Sequence, residues 1–202
     1  MDTEMIPHTS PMRAVIGGLS TFWLALYSAQ ALDLTPQYGT RQGNEGPATE
    51  TMIFTDGAAR YGFVPPAGWK SSGGGKSLSF FTHDTTSWMR LMVIAKGKPQ
   101  QAVDTAAPKT DLQEWSAQFI PSGAEKAEFV KMVPSPFPVG THPSTEYVYT
   151  FMLSGFRYSL SVSVVDFSEK ERLVMLVSAG SKNFEQIRRE AISSMFSWAS
   201  EE

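Results

Sequence analysis

Cysteine is absent from this 202-residue chain. Its absence excludes disulfides, thiolate metal sites, thiol catalysis and a lipid-modified N-terminal cysteine. Histidine is nearly as scarce, at three residues. None of the three stands in a His-x-x-x-His or Glu-x-x-His spacing, so neither a metal nor a cofactor is expected. Strong charge of one sign is also missing: 17 Lys+Arg against 20 Asp+Glu give a net charge of −3. That balance supplies no basic field for nucleic acid or anionic lipid. No Gly-x-Ser-x-Gly elbow is present, which removes the sequence context of one large class of serine hydrolases. No internal repeat is visible.

The N-terminal apolar stretch carries the most information. Arg13 precedes an apolar body, Val15, Ile16, Leu19, Phe22, Trp23, Leu24 and Leu26, and Ala29-Gln30-Ala31 follows. Charge, apolar segment and small-x-small site in that order are the pattern of an export signal. Gly17, Gly18, Ser20 and Thr21 interrupt the run, leaving it short of the ~20 apolar residues that span a bilayer. Residues 1–31 are therefore expected to be a signal peptide cut after Ala31; the alternatives are a buried helix or an uncleaved anchor. Asp2 and Glu4 do not suit a positive n-region, so Met1, Met5 and Met12 are each candidate starts. The expected location is the periplasm of a Gram-negative cell, or outside the cell, with no stable membrane insertion after cleavage.

Cleavage leaves 171 residues and removes Arg13, Asp2 and Glu4, which brings the net charge to −2. A chain of that length supports one domain that buries roughly 70% of its unfolded surface. Residues 32–50 are rich in Gly, Pro, Gln and Thr and read as a flexible N-terminal arm. Residues 51–200 read as a single domain. Thr51–Phe54 and Ala59–Val64 flank Asp56-Gly57, a hairpin-turn dipeptide. Lys76–Thr82 and Trp88–Ala95 are the next strands. Between Thr110 and Ile120 the period lengthens to about 3.6, with Leu112, Trp115 and Phe119 on one helical face. Ala127–Val133 reads as a strand and Pro134–Pro143 as a Pro-rich loop. Thr145–Leu153 and Phe156–Val165 form a hairpin closed by Ser154-Gly155. The second strand alternates an apolar face with Arg157, Ser159, Ser161 and Ser163. Leu173–Ala179 is apolar throughout, as in a central strand covered on both faces. A helix capped near Ser181 or Asn183 places Phe184, Ile187, Ala191, Ile192 and Met195 on one stripe. The class is α+β, an antiparallel sheet covered by helices.

The passage Tyr61-Gly62-Phe63-Val64-Pro65-Pro66-Ala67-Gly68-Trp69 resembles the opening hairpin of PsbP-like proteins, where an aromatic strand enters a Pro-x-Gly-Trp turn. The closing hairpin, apolar strand and terminal helix with Arg188, Arg189 and Ser194-Met195-Phe196 agree in order. This resemblance, over roughly Thr51 to Trp198, implies an α/β/α sandwich and a non-enzymatic role. The family's ion-binding residues find no aligned counterpart here.

Candidate chemistry is sparse. Gly75-Lys76-Ser77 ends like a phosphate-binding loop, but Lys70 stands where the opening glycine belongs and a strand follows instead of a helix. His83-Asp84 and His142 would make a metal site only by converging from distant loops. A hydrolase built from Ser154, His142 and Asp166 is the weaker enzymatic alternative. Ser159, Ser161 and Ser163, with Arg157 and Glu146, form either a polar binding face or a solvent-facing strand surface. Phe137, set between Pro134, Pro136 and Pro138, is either tucked onto the sheet or shown to a partner. The candidate contact residues are thus Phe137, His142, Glu146 and Arg157. The expected role is a non-catalytic accessory or binding module of the cell envelope, monomeric or weakly dimeric. Its partner is an envelope protein; the alternative is a small amphipathic ligand held between sheet and helix.

Overall fold

The computed structural model describes residues 31–41, 49–96 and 110–201; the signal segment up to residue 30 lies outside them. The turn dipeptides set the first hairpins. β1 (Asp33–Arg41) pairs with β2 (Thr49–Asp56), and Gly57, at φ 62°, turns β2 into β3 (Ala59–Phe63). With β11 (Ala199–Glu201) these make a four-stranded sheet in the order β1-β2-β3-β11.

A seven-stranded sheet runs in the order β4-β5-β6-β10-β9-β8-β7, antiparallel throughout. Its strands are β4 (Lys70–Gly74), β5 (Ser77–Phe81), β6 (Trp88–Ala95), β7 (Glu125–Val139), β8 (His142–Leu153), β9 (Phe156–Val165) and β10 (Glu171–Gly180). The apolar Leu173–Ala179 run does lie in the central strand, flanked by β6 and β9. The Gly75-Lys76 phosphate-loop look-alike is a hairpin turn between β4 and β5.

The pleat sends alternate residues to opposite faces. One face of the large sheet carries Tyr147, Tyr149, Phe151, Leu160, Val162, Val164, Val174 and Leu176, covered by Leu112, Trp115 and Phe119 of α1 (Thr110–Ala117) and the turn after it. The other face packs Leu78, Phe80, Leu91, Leu173, Met175 and Val177 against Phe54 and Phe63 of the small sheet and against α2 (Phe184–Met195). The α/β/α sandwich is accordingly corrected. Among the described residues the fold is β-rich, with helices of 8 and 12 residues, and the small sheet shares the α2 face.

Two further expectations change. Within the stretch read as a flexible arm, Asp33–Arg41 is a strand, anchored because Leu32 and Leu34 are fully buried. The Pro134–Pro143 stretch is not a loop but the end of β7 and the start of β8. β7 accommodates prolines because it is an edge strand, where an absent N–H leaves no ladder bond broken. Its pairing to β8 shifts register at three places, between Glu125 and Glu128, Phe129 and Lys131, and Pro134 and Pro138.

Candidate functional site

The most organised polar cluster is internal. Ser159, Ser161 and Ser163 face α2, and all three are buried. Opposite them on β8 stands Glu146, fully buried, which accepts hydrogen bonds from Ser161 Oγ and, at 2.6 Å, from Arg188 Nε; Arg188 Nη2 reaches its second oxygen. The two-pronged guanidinium fits a carboxylate. That bond with Glu146 raises the Arg188 pKa further, against the burial that lowers it. Arg188 also approaches Glu185 at 3.4 Å, and Lys131 of β7 reaches Glu185 at 3.5 Å. The charges are spent on fastening α2 to the sheet. The serine row is therefore neither a solvent surface nor a binding face, and Ser163 Oγ has no protein partner.

The structure separates the sequence-predicted residues. Phe137 is 1% exposed, so it is a core side chain and not a partner contact. Its backbone N–H donates to Ser144 Oγ, which in turn donates to its carbonyl. His142 is half-buried at the start of β8, its ring 6.0 Å from that of Phe167. Ser144, Val165, Leu173 and Val93 align across the sheet at that end, whereas Tyr149, Leu160, Ser178 and Trp88 align toward the other. His83, on the β5–β6 turn, belongs to the far end, so the two histidines do not converge. Ser154 and His142 are likewise separated by the 12 residues of β8, roughly 40 Å of strand. The Ser154–His142–Asp166 arrangement does not exist. Asp166 is instead engaged by Lys96 at 2.9 Å and Arg172 at 3.0 Å.

Of the four candidates, Arg157 lines an open cleft. The Ser154-Gly155 turn has both residues at positive φ, 52° and 81°, the two-residue hairpin geometry that matches strand twist. It sets Phe156 and Arg157 at the start of β9. Ser181 N–H donates to the Arg157 carbonyl at 3.0 Å, which brings the end of β10 and the start of α2 alongside. Thr86 and Ser87 from the β5–β6 turn complete the rim. Together with Tyr158, Gly180, Ser181, Lys182 and Asn183 they enclose about 520 Å³, a volume suited to a small molecule. Phe156 is 68% exposed. Among the described residues of the lining, Arg157 and Lys182 are the charged side chains, and both are cationic. The Arg157 contact with Glu128 is 3.9 Å long between exposed groups, too weak to neutralise it.

Phe156 and Lys182 were not anticipated from the sequence. The available signal was an aromatic residue directly after a two-residue turn, where a hairpin tip has little to bury it. Asn183 is the N-cap of α2, as expected, but its side chain makes no capping bond.

No family model matches the chain, and no curated protein does. Among solved structures it is similar to the solution structure of cyanobacterial PsbP (CyanoP) from Synechocystis sp. PCC 6803, with a TM-score of 0.48 and 12% identity over 80% of this chain and 98% of that one. It is also similar to a crystal structure from Bacteroides thetaiotaomicron VPI-5482, with a TM-score of 0.40 and 14% identity over 70% of this chain. There it spans 45% of the other chain's length. A PsbP structure thus stands among the neighbours, as the resemblance of the Tyr61–Trp69 passage implied. At these scores the likeness carries no statement about activity, ligand or partner.

Proposed function

We propose that the protein is a non-catalytic accessory or binding module, exported to the cell envelope and belonging with PsbP-like proteins. The observation that carries binding is the cleft at the β8–β9 end of the large sheet. It joins an exposed aromatic side chain to two cations, with no carboxylate among the described lining residues. The sequence pattern of Arg13 to Ala31 supports export. The Pro65-Pro66-Ala67-Gly68-Trp69 passage leaves β3 as the resemblance implies, with Trp69 packed against the larger core cluster.

The same cleft favours a second reading, a small amphipathic anion as ligand. Space between the sheet and α2 is taken by Phe184, Ile187, Ala191 and the Glu146–Arg188 pair. A ligand therefore sits at the end of the sheet, with its anionic group toward Arg157 and Lys182 and its apolar part on Phe156.

The test is capture after cross-linking from cells expressing the tagged full chain, beside a variant carrying Arg157→Glu and Lys182→Glu. An envelope protein captured by the native chain and lost in the variant supports the accessory reading. A bound small anion seen by native mass spectrometry and lost in the variant supports the ligand reading. Failure to see either capture, or recovery of the chain uncut in the cytosol, overturns the proposal.

A further inference from the structure

Leu32 is the first residue after the proposed signal, and it does not trail from the fold. Its side chain is fully buried, and that of Leu34, two residues on, is too. Its backbone N–H donates to Glu171 Oε2 at 3.2 Å. The Leu32 carbonyl accepts from Lys76 Nζ at 3.3 Å, and Lys76 Nζ meets the other Glu171 oxygen at 2.8 Å. Leu34 N–H is held by the Gly75 carbonyl at 2.7 Å. Ala31, one residue earlier, is exposed.

The charges around this amide are unbalanced. Glu171 on β10 is 15% exposed and has Lys76 as its ion-pair partner. Asp56 and Asp33 feel the same lysine, and Asp56 also feels Glu171. Burial first, and the nearby Glu171 charge second, push the Asp56 carboxyl up. Lys76 pairs with one Glu171 oxygen, and the position facing the other is a neutral peptide N–H.

We infer that cleavage between Ala31 and Leu32 generates an α-ammonium group that docks on Glu171, so that the processing step itself completes the fold's N-terminal anchor. The inference rests on the export reading. Hydrolysis of the Ala31–Leu32 peptide bond consumes one water, leaving a carboxylate on Ala31 and an ammonium on Leu32. The amide donor becomes a charged one in the same place, and a charge-assisted hydrogen bond is roughly twice as strong as a neutral one.

The pH dependence has a definite sign. A free α-amino group titrates near 7.7–8.0. In the folded state Glu171, facing the amine, favours its charged form, whereas Lys76 and burial oppose it; docking on Glu171 requires the first to prevail. A raised value means stabilisation that is fully present below about pH 7.5 and lost as pH rises through the folded-state value.

Every strand, both helices and both apolar clusters of the described residues lie from Leu32 onward, so a chain beginning at Leu32 carries the fold. The test compares that chain with one beginning at Ala31, whose amine is displaced by about 3.5 Å, and with an Nα-acetylated Leu32 chain. The Leu32 chain is expected to melt roughly 3 °C or more above the other two at pH 7, on the scale of about 1 kcal/mol for a domain this size. The difference should vanish by about pH 10, and acylation of its α-amine at pH 7 should be at least about tenfold slower than in the Ala31 chain. Glu171→Gln should abolish the advantage of the Leu32 chain. Equal melting and equal labelling in the Leu32 and Ala31 chains overturn the anchor while leaving export intact. N-terminal sequencing of the exported protein tests the cut separately: a start at Leu32 supports it, and a chain that retains Ala31 overturns it.

Discussion

The two faces of the seven-stranded sheet are built from the same strands by opposite means. On the α1 side, Tyr147, Tyr149, Phe151, Leu160, Val162 and Val164 present large apolar and aromatic groups, and Trp115 and Phe119 lie over them with their rings 5.1 Å apart. On the α2 side, the alternate residues of β8 and β9 are small or charged: Glu146, Val148, Ser159, Ser161 and Ser163. A helix lies over both. The first is held mainly by apolar area, which is tolerant of detail. The second adds to the apolar stripe of α2, Phe184, Ile187, Ala191 and Met195, an ion pair whose geometry must be correct, because the Glu146 carboxylate is fully buried and Arg188 nearly so. Burial of a strand face thus does not require it to be apolar, provided that the covering element brings the matching polar group.

The comparison breaks most sharply at Arg188. Arg188→Met strands the fully buried Glu146 carboxylate and is expected to cost about 3–5 kcal/mol in urea denaturation. Adding Glu146→Leu should recover most of that loss, since an apolar pair of similar volume replaces a desolvated one. A single-variant loss below about 1 kcal/mol would contradict the account. The corresponding polar contact on the α1 side is smaller. Tyr149 Oη donates to the Gln113 carbonyl at 2.8 Å and meets Ser116 Oγ at 2.7 Å. Tyr149→Phe should cost about 1–2 kcal/mol, and amide exchange should quicken in α1 and stay unchanged in α2.

The smallest effect is electrostatic, at the end of the sheet near His142. Burial pushes the Asp166 carboxyl up, but the hydrogen bonds and charges of Lys96 and Arg172 outweigh it and hold the group below the usual carboxylate range. Asp166 is 58% exposed, so solvent screening limits the contribution to below about 1 kcal/mol. A depressed carboxylate stabilises above its ordinary pKa of about 3.9, and that stabilisation fades as pH falls further. Asp166→Asn should slightly lower stability at pH 6 and flatten its decline in acid, as read by thermal melts across that range.

What was legible in the sequence was local. The Ser154-Gly155 turn, the apolar β10 and the stripe on α2 each declare themselves within a dozen residues. β1 escaped because its anchoring depends on two leucines, Leu32 and Leu34, set in a run otherwise typical of linkers. The second half of β7 escaped because prolines and bulges erase the two-residue period. Phe137 was left open between core and surface by its proline neighbours; the hydrogen bonds to Ser144, seven residues on, hold it inside. The Glu146–Arg188 pair spans 42 positions, and no local pattern marks which buried carboxylate will meet which arginine. The cleft is similarly an assembly of three separate turns, legible only at Phe156.

β7 also governs what happens beyond a single molecule. A straight terminal strand offers free N–H and C=O groups at a regular spacing, onto which a strand of another chain can add. Here the register slips three times, Val130 bulges out between Phe129 and Lys131, and prolines occupy positions 134, 136 and 138. The register shifts cut this edge into short runs, Lys131 to Pro134 being one, which disfavours addition of another copy. That irregularity makes the β7 edge a poor template for fibril-like growth.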